Sequence, residues 1–284
     1  LYYRAGDHEY RYALSVHADE IVSEGLWRRK LGASRTAMLF EREDTKVELG
    51  PTLRKLVTAA RFNPSLPYLS FLCINFDAPV VQEAASWFLD TVFLNYNSSY
   101  LERMLEQMLD EGDSREVTRF LRAVDVRIDG FRVERAPEWR GQRVFVRHEV
   151  GGKSYELRLS EESAGTQKLM GLAAYLMTAL ERGGTVVVDE LDAKLHPKLL
   201  RYVILLFKDP EVNKSGAQLI FSSQDVSTMR NDVFRRDEIW FAARGEGEAS
   251  QLWSLADIHE ANGNLVSKNA AFDKQYLSGR YGAD

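Results

Sequence analysis

Two adjacent carboxylates in this sequence stand where the active sites of α/β proteins lie. Asp189 and Glu190 directly follow the run Thr185–Val188, whose β-branched residues predict a buried strand. Open parallel sheets bind their ligands beyond the carboxyl ends of the strands. There an aspartate can hold Mg²⁺ through its water shell, and a glutamate can orient or deprotonate the water that attacks a phosphate. We predict that Asp189 is a metal ligand and Glu190 a catalytic residue; an ordinary acidic turn after a strand is the alternative.

A second candidate is the run Ser-Ala-Gly-Thr-Gln-Lys at positions 163–168, which leads into an apolar stretch that predicts a helix over 167–180. Small residues leave the backbone N–H groups at the start of a helix open to an anion, and the Ser163 hydroxyl is a further donor. The start of this helix is therefore a candidate phosphate site. A simple N-cap by Ser163, with a turn at Gly165, is the alternative.

The segments before these features differ in their periodicity. Apolar and polar residues alternate over 9–16, the period of a half-buried strand, and we predict an antiparallel β unit over 1–50. Apolar residues three and four apart then predict a helical insertion over 51–124, with helices at 80–94 and 99–110 among others.

Residues 125–284 carry both candidate features. Strand patterns return at 143–150 and 154–159, and Gly151-Gly152 between them indicates a tight hairpin. From position 167 onward the order is helix, strand, helix, strand, with the second buried strand at 218–222. That alternation predicts a parallel sheet with crossover helices, hence the α/β fold class.

Taken together, the two features and their order resemble the head of an ABC-type ATPase. Ser-x-Gly-x-Gln, an apolar helix, an aliphatic strand, Asp-Glu and then Leu195-His196-Pro197 follow one another as the signature motif, Walker B and D-loop do in RecF-like, SMC-like and OLD-like ATPases. More narrowly, the chain resembles bacterial ATP-binding proteins linked to abortive infection and restriction-associated phage defence. The narrower resemblance is carried by the runs 39–43, 163–168, 189–197, 217–223, 235–241 and 276–283.

The resemblance implies an ABC-ATPase-like P-loop NTPase head that binds and hydrolyses ATP with Mg²⁺, with 125–284 as its signature and Walker B lobe. Two such heads sandwich two nucleotides, so a homodimer is expected, acting as the sensor or motor of an anti-phage system beside a partner effector. Asp189 and Glu190 would act on the nucleotide of their own subunit. The residues that would contact the nucleotide held by the partner subunit are Ser163, Gly165, Thr166 and Gln167. Asp192 and His196 would lie where the D-loop crosses the dimer interface.

The sequence departs from the family pattern in two places. No G-x-x-x-x-G-K-[ST] phosphate-binding loop occurs in it. In the family this loop lies upstream of the antiparallel strands, so we expect it to precede Leu1; a protein without the loop is the alternative. Gln224 stands where relatives often carry a histidine that contacts the γ-phosphate. We assign Gln224 to this catalytic position and expect slow hydrolysis, because an amide donates and accepts hydrogen bonds but cannot become a cation. A polar strand end without a role is the alternative.

Composition narrows the class of protein. Of the 284 residues 45% are hydrophobic, which excludes a disordered chain. The net charge of −5 argues against binding to a polyanion by bulk charge, and the arginines of 115–147 are interleaved with acidic residues as on a solvated face. Nucleic-acid binding is therefore unsupported. The single cysteine, Cys73, favours a reducing, cytoplasmic location, and no apolar run reaches the ~18 residues of a membrane helix.

Two other functions compete with ATP hydrolysis. A non-hydrolysing, nucleotide-gated scaffold is supported by Gln224 and by the absent phosphate-binding loop. A metal-dependent nuclease could use Asp189, Glu190 and Asp192. Two-metal sites gather carboxylates from several elements, however, whereas these three lie within four residues of one strand end.

Overall fold

The computed structural model describes residues 1–18, 20–58, 61–95, 105, 109, 114–124, 126–135, 142–245, 247, 249–260 and 263–282. It divides into two compact units, Leu1–Val92 and Phe93–Asp284. The helix predicted over 99–110 lies, except for Leu105 and Leu109, outside the described residues.

Unit 1 is built on a five-stranded antiparallel sheet whose order follows the sequence. Its strands are β1 (Tyr2–Ala5), β2 (His8–His17), β3 (Glu20–Lys30), β4 (Thr36–Glu43) and β5 (Lys46–Leu49). The prediction of antiparallel strands within residues 1–50 is thus confirmed.

Two helices, Tyr68–Asn75 and Pro79–Leu89, belong to the same unit as the sheet. The alternation along β2 places Tyr10 and Tyr12 in a core shared with these helices, and the Tyr3 hydroxyl donates a hydrogen bond to the carbonyl oxygen of Ala84 (2.6 Å). The helical segment after residue 50 therefore covers one face of the sheet, because that face would otherwise leave its aromatic residues in water.

One polar network lies inside this core. The side chains of Glu24 (β3) and Arg42 (β4) are both fully buried, and they face each other with 3.5 Å between nitrogen and oxygen. The Glu24 carboxylate accepts hydrogen bonds from the backbone N–H groups of Tyr68 and Leu69, the latter at 2.9 Å, at the start of helix Tyr68–Asn75. Arg42 donates to the carbonyl oxygen of Leu66 (2.8 Å). The pair therefore ties the sheet to the loop and helix that cover it.

The prediction of a helix over 80–94 is wrong at the C-terminal end. The helix ends at Leu89, and Thr91–Leu94 forms a strand, β6. Asp90 ends the helix, and the following Thr-Val-Phe-Leu has the β-branched and aromatic residues that fit a pleated sheet better than a helix. β6 is an edge strand of a three-stranded sheet in the order β11-β10-β6, whose other strands are β10 (Thr185–Val188) and β11 (Gln218–Phe221).

Unit 2 contains the predicted parallel pair. β10 (Thr185–Val188) runs parallel to β11 (Gln218–Phe221), with Val188 opposite Phe221. The described residues of this unit include the α-helices Ser114–Ala123, Ala164–Arg182, Pro197–Lys208 and Phe272–Leu277. The α/β fold class is confirmed, since helix Pro197–Lys208 connects the two parallel strands.

Two antiparallel sheets also belong to the described part of unit 2. One contains β7 (Gly130–Arg135), β8 (Gln142–Val150) and β9 (Lys153–Arg158), and the other contains β12 (Trp240–Arg244) and β13 (Ser250–Ser254). The hairpin predicted at Gly151-Gly152 is confirmed: both glycines have positive φ (60° and 76°), as a two-residue hairpin turn requires.

The helix Ala164–Arg182, called the long helix below, is the central element of unit 2. Ser163 is its N-cap, and Gly183 ends it in the left-handed conformation (φ 84°). Ten of its residues are buried, which explains why its sequence is apolar nearly all round. Within the described part of the chain, neither this helix nor any other is long and apolar enough to cross a membrane.

Candidate functional site

The ends of β10 and β11 bring the two predicted carboxylates together with a serine. Ser222, the first residue after β11, donates its hydroxyl hydrogen to Asp189 Oδ1 (2.6 Å). The same hydroxyl oxygen accepts a hydrogen bond from the backbone N–H of Glu190 (2.8 Å). One hydroxyl thus orients the Asp189 carboxylate and the Glu190 backbone, while both acidic residues stay exposed. No role was predicted for Ser222, and its place directly after a buried strand is the signal that could have found it.

The loop after β10 has an unusual backbone. Glu190 and Lys194 have φ values of 51° and 62°, in the left-handed region that residues other than glycine rarely adopt. Two turn hydrogen bonds hold the segment between them, from Ala193 N–H to the Glu190 carbonyl (3.1 Å) and from Leu195 N–H to the Asp192 carbonyl (2.9 Å). Such strained residues cluster at functional sites and persist only where neighbouring contacts hold them.

Lys168 of the long helix supplies such contacts. Its side chain is almost fully buried, and its ammonium group donates to the carbonyl oxygens of Glu190 (2.7 Å), Leu191 (3.1 Å) and Ala193 (2.8 Å). Lys168 is the last residue of the run 163–168, and no role was predicted for it. The signal was present, since Lys168 is the only charged residue between Ala164 and Leu180.

Burial also shifts the titration of this amine. Desolvation lowers the pKa of Lys168 from 10.5 to about 8, although the carboxylates of Asp192 and Glu190 oppose the shift. Between these two pH values the unfolded chain binds the proton and the folded chain does not. The free energy of unfolding should therefore rise with pH by up to about 1.4 kcal/mol per unit, relative to a Lys168→Met variant. Urea unfolding of both proteins at several values between pH 7.5 and pH 10 measures this difference, and parallel pH profiles would contradict it.

The start of the long helix is held by its own side chains. Ser163 Oγ accepts a hydrogen bond from the Thr166 N–H (3.1 Å) and lies 2.7 Å from the Thr166 hydroxyl oxygen. The Gln167 amide nitrogen donates to the Glu162 carbonyl (2.7 Å). Ser163 is therefore the N-cap of the long helix.

Gly165 brings this helix start close to the loop after β10. A Cβ atom built at Gly165 would lie 2.5 Å from the carbonyl oxygen of Lys194, closer than side chains approach backbone. Only glycine allows this packing. The two sequence features thus lie side by side, because Gly165 and Lys168 both contact the same loop.

The remaining predicted residues lie along the same loop and the end of β11. Asp192 Oδ2 accepts a hydrogen bond from the Gln224 backbone N–H (3.3 Å), while Asp192 Oδ1 is buried without a hydrogen-bond partner among the described residues. The Gln224 side chain is exposed. His196 caps helix Pro197–Lys208 through Nδ1, which accepts from the Lys198 N–H (3.2 Å), so the proton of the neutral ring lies on Nε2.

The donor set fits a magnesium ion better than a closed metal cage. Among the described residues no group of three or more histidine, cysteine, aspartate or glutamate side chains could hold a metal ion. Mg²⁺ usually takes only one or two carboxylates and completes its shell with phosphate oxygens and water. Asp189, exposed and oriented by Ser222, is suited to that single-ligand role.

Comparison with known proteins gives a family. A search of curated proteins finds no match. Among solved structures, the chain is similar to a crystal structure titled "SmcHead bound to the C-winged helix domain of ScpA", with 13% sequence identity, a TM-score of 0.37, and coverage of 88% of this chain and 74% of that chain. The profile of one protein family, described as "AAA domain, putative AbiEii toxin, Type IV TA system", matches residues 58–230, which is more than half of the sequence. The chain therefore belongs to this AAA-domain family.

Proposed function

We propose that this chain is an ABC-class ATPase head that binds and hydrolyses ATP with Mg²⁺, acting through Asp189 and Glu190. The observation that carries the proposal is the Ser222 hydroxyl, which holds the Asp189 carboxylate and the Glu190 backbone at the carboxyl ends of two parallel strands. Membership of an AAA-domain family supports a nucleotide as the ligand of this edge.

The two carboxylates have different roles in this proposal. Asp189 holds Mg²⁺, which when bound neutralises charge on the phosphate oxygens. Ser222 keeps one Asp189 oxygen engaged, so that the other is directed to the ligand. Glu190 accepts the proton of the attacking water, and Gln224, exposed at the end of β11, donates a hydrogen bond to the γ-phosphate.

We propose further that two copies sandwich the nucleotides. The helix start with Ser163, Gly165, Thr166 and Gln167 would contact the nucleotide of the partner subunit, and Asp192 and His196 would lie at the interface. The exposed positions of Ser163 and His196 support this arrangement. A role as sensor or motor in anti-phage defence, beside an effector protein, rests on the resemblance and on the toxin–antitoxin wording of the family description.

The test is Mg²⁺-dependent ATP turnover, measured on the protein with whatever residues are encoded upstream of Leu1 included. Asp189→Asn keeps the shape of the side chain and removes its charge. We expect it to lower kcat about 10- to 100-fold and to raise the Mg²⁺ concentration needed for half-maximal activity. The matched control is Asp7→Asn, in an exposed turn of unit 1, which should leave both quantities unchanged. Unchanged Mg²⁺ dependence in Asp189→Asn would remove this residue from the metal site.

The second candidate is the non-hydrolysing, nucleotide-gated scaffold. It is favoured by one observation, the neutral and exposed Gln224 at the phosphate-sensing position. ATP-dependent dimerisation without turnover, seen by light scattering together with a phosphate-release assay, would establish it in place of hydrolysis. The nuclease alternative has no such observation: among the described residues, no group of three or more histidine, cysteine, aspartate or glutamate side chains could hold a metal ion.

A further inference from the structure

The loop after β10 directs three carbonyl oxygens at one point. The carbonyls of Glu190, Leu191 and Ala193 all accept from the ammonium group of Lys168, at 2.7, 3.1 and 2.8 Å. Three converging carbonyl dipoles repel one another unless a cation or several donors lie between them. An ammonium group provides both, with three N–H donors and one positive charge.

We propose that Lys168 is a positioning residue for Glu190: it holds the loop 190–193 in the conformation from which the Glu190 carboxylate acts. This inference rests on the proposed function, in which Glu190 activates the attacking water. In these three bonds Lys168 contacts backbone carbonyls of the loop, so the effect proposed for it is exerted through the loop that carries Glu190.

The backbone conformation of the loop explains why the three hydrogen bonds from Lys168 are needed. Glu190 and Lys194, at the two ends of the segment 190–194, both have left-handed φ values. Each would relax toward the common regions of φ and ψ if the surroundings allowed it. Because Glu190 is one of these residues, relaxation would turn its side chain away from the direction that it has while the backbone N–H is bonded to Ser222.

A second contact with the loop after β10 is made on the face of the long helix that carries Lys168. Gly165 lies one helical turn before Lys168, and its missing side chain lets the helix approach the Lys194 carbonyl. The loop is therefore seated at two points of one helix face. The helix whose start carries the signature motif consequently also sets the geometry of the catalytic loop.

The choice of lysine supports a role beyond packing. A buried charge is costly, and a methionine of similar length would fill the same space at less cost in an apolar helix. What methionine lacks is the set of donors for the three carbonyls. The lysine is thus explained by the loop that it orders.

The test compares Lys168→Met with a matched variant of the same helix, Leu176→Ala, which removes buried side-chain volume two turns further along. Steady-state ATP turnover gives kcat and KM, and hydrogen exchange followed by mass spectrometry reports the amides of Ala193 and Leu195.

For Lys168→Met we expect kcat to fall about 10- to 100-fold with KM within about twofold, as for loss of a positioning contact. Exchange at the two amides should rise at least about 10-fold. Leu176→Ala, studied at a temperature where it is folded, should keep kcat, and Lys168→Arg, which retains charge and donors, should recover part of the lost kcat.

The outcomes separate this inference from the proposed function. Three results would overturn the positioning role and leave the proposed role of Glu190 standing. They are a wild-type kcat in Lys168→Met, unchanged hydrogen exchange in the loop, and an equal loss of kcat in Leu176→Ala. If Glu190→Gln hydrolyses ATP as fast as the wild type, the proposed function fails at Glu190, and the positioning role falls with it even where loop exchange has risen.

Discussion

Replacing Glu190 by glutamine is expected to lower kcat for ATP hydrolysis by about 100- to 10,000-fold, the contribution of a general base. Glutamine has nearly the same shape but cannot accept a proton from water. The contacts that place residue 190 are made by its backbone, through the N–H to Ser222 and the carbonyl to Lys168, so the variant keeps the loop conformation. Nucleotide binding should therefore persist while turnover is lost.

This result is measured by phosphate release at saturating ATP, together with nucleotide affinity. Glu181→Gln is the matched control, because Glu181 is an exposed glutamate near the far end of the long helix. Its kcat should equal that of the wild type. If two copies sandwich the nucleotide, Glu190→Gln should also accumulate as an ATP-bound dimer, since the state that precedes hydrolysis lives longer. Equal and substantial rates in wild type and Glu190→Gln would exclude Glu190 as the base.

Replacing Arg42 by methionine should lower the free energy of unfolding by about 3–5 kcal/mol, as expected when one partner of a buried ion pair is removed. Methionine fills the volume of the arginine stem, so the loss comes from the charge and the donors. It would leave the fully buried Glu24 carboxylate without its cation, and the carbonyl of Leu66 without its donor. The loop before helix Tyr68–Asn75 would be the first part to loosen.

Urea unfolding followed by circular dichroism gives the free energy. The control is Arg29→Met, which breaks the ion pair of Arg29 with Glu9 on the exposed surface of the same sheet and should cost far less, because water screens an exposed pair. A double variant, Glu24→Gln with Arg42→Met, should regain part of the loss, because it no longer buries an unpaired charge. Equal costs for Arg42→Met and Arg29→Met would show that burial adds nothing to this pair.

The local pattern predicted much of the region around the site. The run Thr185–Val188 is a strand, Ser163 starts the long helix, and Gly151-Gly152 forms the hairpin. These features depend on neighbours in sequence: β-branched residues favour strands, a serine hydroxyl caps a helix, and glycine accepts positive φ.

Other features depended on residues distant in sequence. Thr91–Leu94 continues the apolar pattern of the preceding helix, and only pairing in a sheet with β10 makes it a strand. Ser222 lies 33 residues from Asp189, and Lys168 lies 22 residues from Glu190. Periodicity carries no information about such pairs, since a hydrogen bond between distant residues exists only after the chain has folded.

The residue types therefore identify the chemistry of the edge: two carboxylates after a buried strand, beside a helix start rich in small residues. The positions of these groups come from tertiary contacts, namely the parallel register of β10 and β11, the hydroxyl of Ser222 and the ammonium of Lys168. The physical reason is that strand and helix propensities act within a few residues, whereas the left-handed backbone at Glu190 is unfavourable locally and is held by bonds from the rest of the fold.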